Sequence, residues 1–108
     1  MDTKQKAKYD ARAKIFKALS SPVRLAILDY LSDGEKCVCH IVDHLEEKQS
    51  SISRHLSTLR DAGVVEARKE GVSIYYKLKT PCVINFFMCI DNVLKEQHEE
   101  AREIVETL

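Results

Sequence analysis

Hydrophobic positions recur with a helical period through most of the chain and switch to a period of two in one short region. From Ala11 to Leu19 the apolar residues Ile15, Phe16 and Leu19 share one face, which predicts a helix. The preceding residues, Met1 to Asp10, are polar and predict a frayed terminus. Ser20-Ser21-Pro22 stops that helix and starts the next, with Ser21 as N-cap and Pro22 at the first helical position. Val23 to Leu31 is strongly apolar and predicts the central core helix, ended by Asp33-Gly34. Val38, Ile41, Val42 and Leu45 fall at i, i+3, i+4 and i+7 and predict a third helix. A polar turn, Glu46-Glu47-Lys48, leads into a fourth, where Ile52, Leu56 and Leu59 mark one buried stripe. Ser50 reads as its N-cap, and Gly63 as the left-handed residue just past its end.

Beyond Gly63 the alternation is that of strands. Val64 to Arg68 predicts one strand, Lys69-Glu70-Gly71 a turn, and Val72 to Lys79 a second strand. On the second strand Ile74, Tyr76 and Leu78 point one way, and Tyr75, Lys77 and Lys79 the other. Thr80-Pro81 caps a last helix whose Val83, Phe86, Phe87, Ile90, Val93 and Leu94 form a full apolar stripe. Two short helices joined by a tight turn read as a helix-turn-helix, and a basic hairpin directly after it reads as a wing. The fold class is therefore mainly α with a small β-hairpin, a single winged helix-turn-helix domain over residues 1–108. The helix-turn-helix spans about 37–62 and the wing about 64–79, with terminal dimerisation helices at about 11–19 and 81–106. Phe86, Phe87, Ile90 and Leu94 are the expected homodimer interface, because a terminal helix this apolar needs a partner.

The overall charge at first argues against a nucleic-acid partner, since 17 basic residues balance 17 acidic ones. Its distribution points the other way. Residues 48–79 carry seven Lys/Arg against three Asp/Glu, and residues 1–17 six against two. The intervening and terminal blocks are acidic, and patches rather than net charge attract phosphate. Facing away from its stripe, the fourth helix presents short hydrogen-bonding side chains and arginine, which suit phosphates and base edges in a major groove. The expected DNA contacts are Gln49, Ser50, Ser51, Ser53, Arg54, His55, Thr58 and Arg60, with Arg68, Lys69 and Lys77 from the wing. The competing reading is an ordinary solvated helix face. No apolar run approaches a membrane span and no signal peptide opens the chain, so a cytoplasmic protein is expected, with no membrane partner.

Three blocks in order resemble the ArsR/SmtB family of winged-helix metal-sensing repressors. Ala18-Leu19-Ser20-Ser21-Pro22-Val23-Arg24-Leu25-Ala26-Ile27-Leu28 is similar to the family's opening "ALSSPVRLxIL". Ser53-Arg54-His55-Leu56 and Leu59-Arg60-Asp61-Ala62-Gly63-Val64-Val65 are similar to its "SRHLxxLRxAGLV", and Arg68-Lys69-Glu70-Gly71 with Tyr75-Tyr76 to its wing. The resemblance covers nearly the whole chain. It implies a homodimer that blocks a promoter on double-stranded operator DNA and leaves when an inducer binds. The family's sensing motif, Glu-Leu-Cys-Val-Cys-Asp-Leu-Cys, here reads Glu35-Lys36-Cys37-Val38-Cys39-His40-Ile41-Val42, so two of three thiols remain. Its other site, an Asp-His-His-Glu zinc site on the last helix, reads Thr80, Cys82, Val93 and Glu96, which lacks two donors.

Four cysteines in a reducing compartment are more often ligands or reactive thiols than a disulfide framework. Cys37 and Cys39 would be separated by roughly 200° on an ideal helix, so they can clamp one ion only in an extended or distorted first turn. Thiolates favour soft ions, and the expected inducer is As(III) or Sb(III), followed by Cd(II) or Pb(II). A third donor is expected from Cys82 or Cys89, from His40, or from water or an added thiol. No cofactor is needed for the fold. Disulfide or persulfide redox sensing by the same thiols is the alternative. An enzyme, a thiol oxidoreductase using Cys37-Val38-Cys39, is a distant third, because no activating neighbours or substrate motif accompany the pair.

Overall fold

The computed structural model describes all residues, Met1–Leu108, and its order of elements follows directly from local sequence chemistry. Helix α1 runs Thr3–Leu19 and begins far earlier than its apolar face. The reason is a capping box: Asp2 Oδ1 accepts from the Gln5 amide at 2.8 Å, and Gln5 Oε1 accepts from the Asp2 amide at 3.2 Å. Two otherwise orphaned donors are satisfied, so the terminus expected to fray is helical. Helix α2, Pro22–Tyr30, starts as expected, with Ser21 Oγ accepting from the Arg24 amide and Pro22 in the first turn.

Strand β1, Lys36–Cys37, has no counterpart in the expected fold. It pairs antiparallel with β3, Ser73–Leu78, which pairs in turn with β2, Val65–Glu70. The sheet order is β1-β3-β2, so the wing is a three-stranded sheet rather than a free hairpin. Two residues are too few to carry a periodic signal. The turn of the wing also shifts: Glu70 faces Ser73 across Gly71 and Val72, and Gly71 takes φ 61. Placing the left-handed glycine inside a two-residue loop matches the twist of the flanking strands better than the longer turn expected at Lys69-Glu70-Gly71.

Helix α3, Val38–Leu45, ends at Glu46, a non-glycine residue held left-handed at φ 54. Helix α4, Gln49–Asp61, has Lys48 as its N-cap without a side-chain cap, which puts Ser50 inside the first turn rather than at the cap. Its other end conforms to expectation. Gly63 at φ 80 lets the Val64 amide reach the Leu59 carbonyl and its own amide reach that of Arg60, closing a Schellman motif. Ile52, Leu56 and Leu59 are fully buried against Ile27, Leu28, Leu31 and Ile41 of the neighbouring helices, and Val65 and Tyr76 bring the sheet onto the same core. Each such side chain contributes about 1.5–3 kcal/mol when removed from water. Helix α5, Cys82–Glu106, is the longest element and buries no residue completely. Only Val83 and Phe87 reach toward the core from it.

Candidate nucleic-acid interface and thiol site

Burying Ile52, Leu56 and Leu59 fixes the rotation of α4 and sorts its polar residues into three directions. Gln49, Ser53, Ser57 and Arg60 line a cleft facing α3 and the wing turn. Thr58 turns to the opposite flank, lining a shallow basic groove with Lys14, Lys17 and Arg24. Ser50 and Arg54 are exposed between these flanks, and Ser51 is half-buried. His55, expected to face DNA, instead accepts a 3.0 Å hydrogen bond at Nδ1 from Arg24 Nε. Arg24 also donates from Nη1 to the Ala18 carbonyl at 3.1 Å, so this side chain ties α1, α2 and α4 together. Burial, then the charges of Arg24 and Arg54, hold the His55 pKa below its ordinary value, which keeps the accepting nitrogen free of a proton. The Thr58 hydroxyl donates to the Arg54 carbonyl at 3.2 Å and is partly spent within its own helix.

The wing departs from expectation at Arg68. Its guanidinium grips Glu35 bidentately, Nη2 to Oε1 at 2.6 Å and Nε to Oε2 at 2.9 Å, and Nη1 meets Glu70 at 2.8 Å. The same group lies over the Tyr75 ring at 4.6 Å. The hydrogen bond from Arg68 holds the Glu35 carboxyl below the usual range, and the two carboxylates push the Arg68 pKa up. A guanidinium between two carboxylates has little charge left for phosphate. Arg68 therefore fastens the wing to the loop before β1 instead of reaching outward. Lys77 makes an exposed 3.2 Å pair with Glu66, which competes weakly with other anions, and Lys69 has no ion pair. Sequence reading missed Glu35, Arg24 and Ser57. The Glu35–Arg68 and Arg24–His55 partners are 33 and 31 residues apart, beyond any local pattern. Lys14 and Lys17 had a signal, the basic opening block.

The thiols meet because Cys37 is not helical. It is the N-cap of α3 at φ −69, ψ 146, held extended by β1, while Cys39 occupies the first turn. Their sulfurs are 2.7 Å apart. Cys37 is buried at 6% exposure, whereas Cys39 is open to solvent. The contact between the two thiols splits them: the bond to Cys39, with the amides at the start of α3, lowers the Cys37 pKa, whereas the bond to Cys37, burial and the Cys37 charge raise that of Cys39. Both thiols line the cleft of about 570 Å³ that also holds Gln49, Ser53, Ser57 and Arg60. Within this one chain no three His, Cys, Asp or Glu side chains are grouped to hold a metal. His40 is exposed on the next helical position, and Cys82 and Cys89 lie on α5, which does not line the cleft.

Residues 21–67 match the family described as bacterial regulatory protein, arsR family. The chain is 43% identical over 90 residues to an uncharacterised helix-turn-helix transcriptional regulator of Methanocaldococcus jannaschii, covering 82% of this chain and 89% of that protein. It is 35% identical over 96 residues to the arsenical resistance operon repressor of Escherichia coli K12, covering 88% and 82%. Among solved structures, the homodimeric winged helix-turn-helix DNA-binding domain of a possible ArsR-family regulator from Mycobacterium bovis superposes with a TM-score of 0.78. That match has 33% identity and covers 93% of each chain. A reader helix seated by its buried stripe, a wing beside it, and these likenesses together establish that the chain belongs to the ArsR family of DNA-binding, winged helix-turn-helix transcriptional regulators.

Proposed function

We propose that the protein is a homodimeric repressor that leaves operator DNA when a soft thiophilic ion binds Cys37 and Cys39, with As(III) or Sb(III) leading and Cd(II) or Pb(II) next. The observation that carries this reading is the paired sulfurs at 2.7 Å in the extended cap of α3. An ion bridging them holds the cap in one conformation. That cap is continuous with β1, where Cys37 faces Tyr75 of the wing, and with α3, which packs on α4. One binding event is thereby linked to both DNA-facing elements. The E. coli relative named as an arsenical resistance operon repressor supports the choice of ion. Dimerisation is supported by the M. bovis neighbour and by the unburied apolar face of α5. DNA contacts fall to Gln49, Ser50, Ser53, Arg54 and Arg60 on α4, with Lys69 and Lys77 on the wing.

Fully reduced protein on its own promoter DNA, titrated with As(III), Cd(II), Zn(II) and peroxide, tests the reading. Cys37→Ser and Cys39→Ser should each abolish arsenite-driven release and leave DNA binding intact. Release that persists with both replaced moves the sensing site elsewhere. The proximity of the sulfurs also favours a second reading, oxidation of the pair as the trigger. Release by peroxide and not by arsenite selects it.

A further inference from the structure

The thiol cleft is far larger than an ion requires. At about 570 Å³ it falls in the size range of small-molecule sites, and an ion on two sulfurs would fill only one corner of it. A pyramidal As(III) centre prefers three thiolates, and this chain brings only two together. The rest of the cleft wall is not featureless. Arg60 lines it and makes no ion pair, with the Gln49 amide and the Ser53 and Ser57 hydroxyls beside it. Asp43 is the one acidic lining residue. An unpaired guanidinium with a neutral amide and hydroxyls beside it matches the fork geometry of a carboxylate.

We infer that the third sulfur is supplied from solution, by a small thiol bearing a carboxylate that Arg60 holds in this cleft. The inference rests on the thiophilic-ion reading above and names the ligand that completes the site. Arsenous acid loses three hydroxyls as three thiols give up their protons: three As–S bonds form, three waters leave, and arsenic stays trivalent. Cys37 and Cys39 form two of the bonds and the small thiol the third. Its tail then lies against Gln49, Ser53 and Arg60, the groups proposed to meet DNA, so the completed site and the operator compete for the same surface.

The test uses DNA-free protein kept reduced with a phosphine, so that no other thiol is present. Arsenite binding is followed by near-ultraviolet As–S absorption with one equivalent of mercaptoacetate, of neutral 2-mercaptoethanol, or of no thiol. Mercaptoacetate should tighten arsenite binding about tenfold over 2-mercaptoethanol, the scale of one charge-assisted hydrogen bond. Arg60→Gln, at an exposed position, should erase that difference while circular dichroism stays unchanged. Equal affinity with mercaptoacetate and 2-mercaptoethanol, or a preference that survives in Arg60→Gln, overturns the inference. Absence of arsenite binding in every arm overturns the inducer reading on which it rests.

Discussion

Arg54 and His55 are adjacent, yet the structure gives them opposite surroundings. Arg54 is exposed on the outer side of α4 with its guanidinium free of protein partners, while His55 is bonded inward to Arg24. Arg54→Ala should therefore leave the fold unchanged and weaken DNA binding about tenfold, with a shallower salt dependence, because the phosphate or base contact proposed for it would be lost at each half-site. Fluorescence anisotropy at several salt concentrations measures both effects, and full affinity in the variant removes this role. For His55 the sign follows from its lowered pKa. The folded state binds a proton less readily than the unfolded chain. Its contribution to stability is thus fully present above the ordinary histidine value, about 6.5, and is lost as pH falls from there through the folded value. His55→Gln, which retains an acceptor for Arg24 and does not titrate, should flatten the decline of melting temperature below about pH 6.5. An identical pH profile in the two proteins would show that the titration of His55 does not contribute to this decline.

At the scale of elements, the wing and the thiol cap behave as one unit. Cys37 pairs with Tyr75, and two residues before it Glu35 clamps Arg68 across the sheet. Both partners of the clamp are partly solvent-exposed, so its loss should cost little stability. Its consequence is local. Glu35→Gln should speed amide hydrogen exchange in β1 and β3 while the melting temperature changes little. It should also free Arg68, leaving Glu70 as its remaining carboxylate. Unchanged exchange at Cys37 and Tyr75 would mean that the backbone ladder alone holds the cap. Helix periods were legible for α2, α3 and α4, as were the Ser21 cap of α2 and the Gly63 stop of α4, because each rests on spacing within a few residues; the Lys48 start of α4, without a side-chain cap, was not. Strand β1 was not, since only its partner β3 makes Lys36–Cys37 extended.

Across the whole molecule, α5 has two faces with different duties. Phe87 is half-buried and packs on the core, whereas Phe86 and Ile90 are each 43% exposed and Leu94 57%. The Phe86 ring meets that of Phe16 on α1 at a centroid distance of 5.8 Å, so the open apolar face is shared by both terminal helices. Phe87, expected at the dimer interface along with its neighbours, packs with Val83 on the core of its own protomer. Ile90→Glu should give folded monomers in sedimentation and weak DNA binding, because it puts an unpaired charge into the face proposed for the dimer contact. Phe87→Glu should instead lower the melting temperature, as a carboxylate is forced against the core. A dimer that survives Ile90→Glu with normal affinity removes this face from the interface.

The sequence by itself determined the winged helix-turn-helix order and the buried stripe of α4. It also located the glycine stop at Gly63 and the apolar terminal helix, because these depend on spacing within a few residues. It named Cys37 and Cys39 as the thiols of interest and put the condition on them, an extended first turn. Tertiary structure alone decided that the condition is met, by pairing β1 with β3 so that Cys37 caps α3 with its sulfur beside that of Cys39. Tertiary structure also gave Arg68 and His55 protein partners, 33 and 31 residues away. Local periodicity reports which side of an element is apolar. The partner that occupies a polar side chain is set by how distant segments pack, and no short window of sequence contains that information.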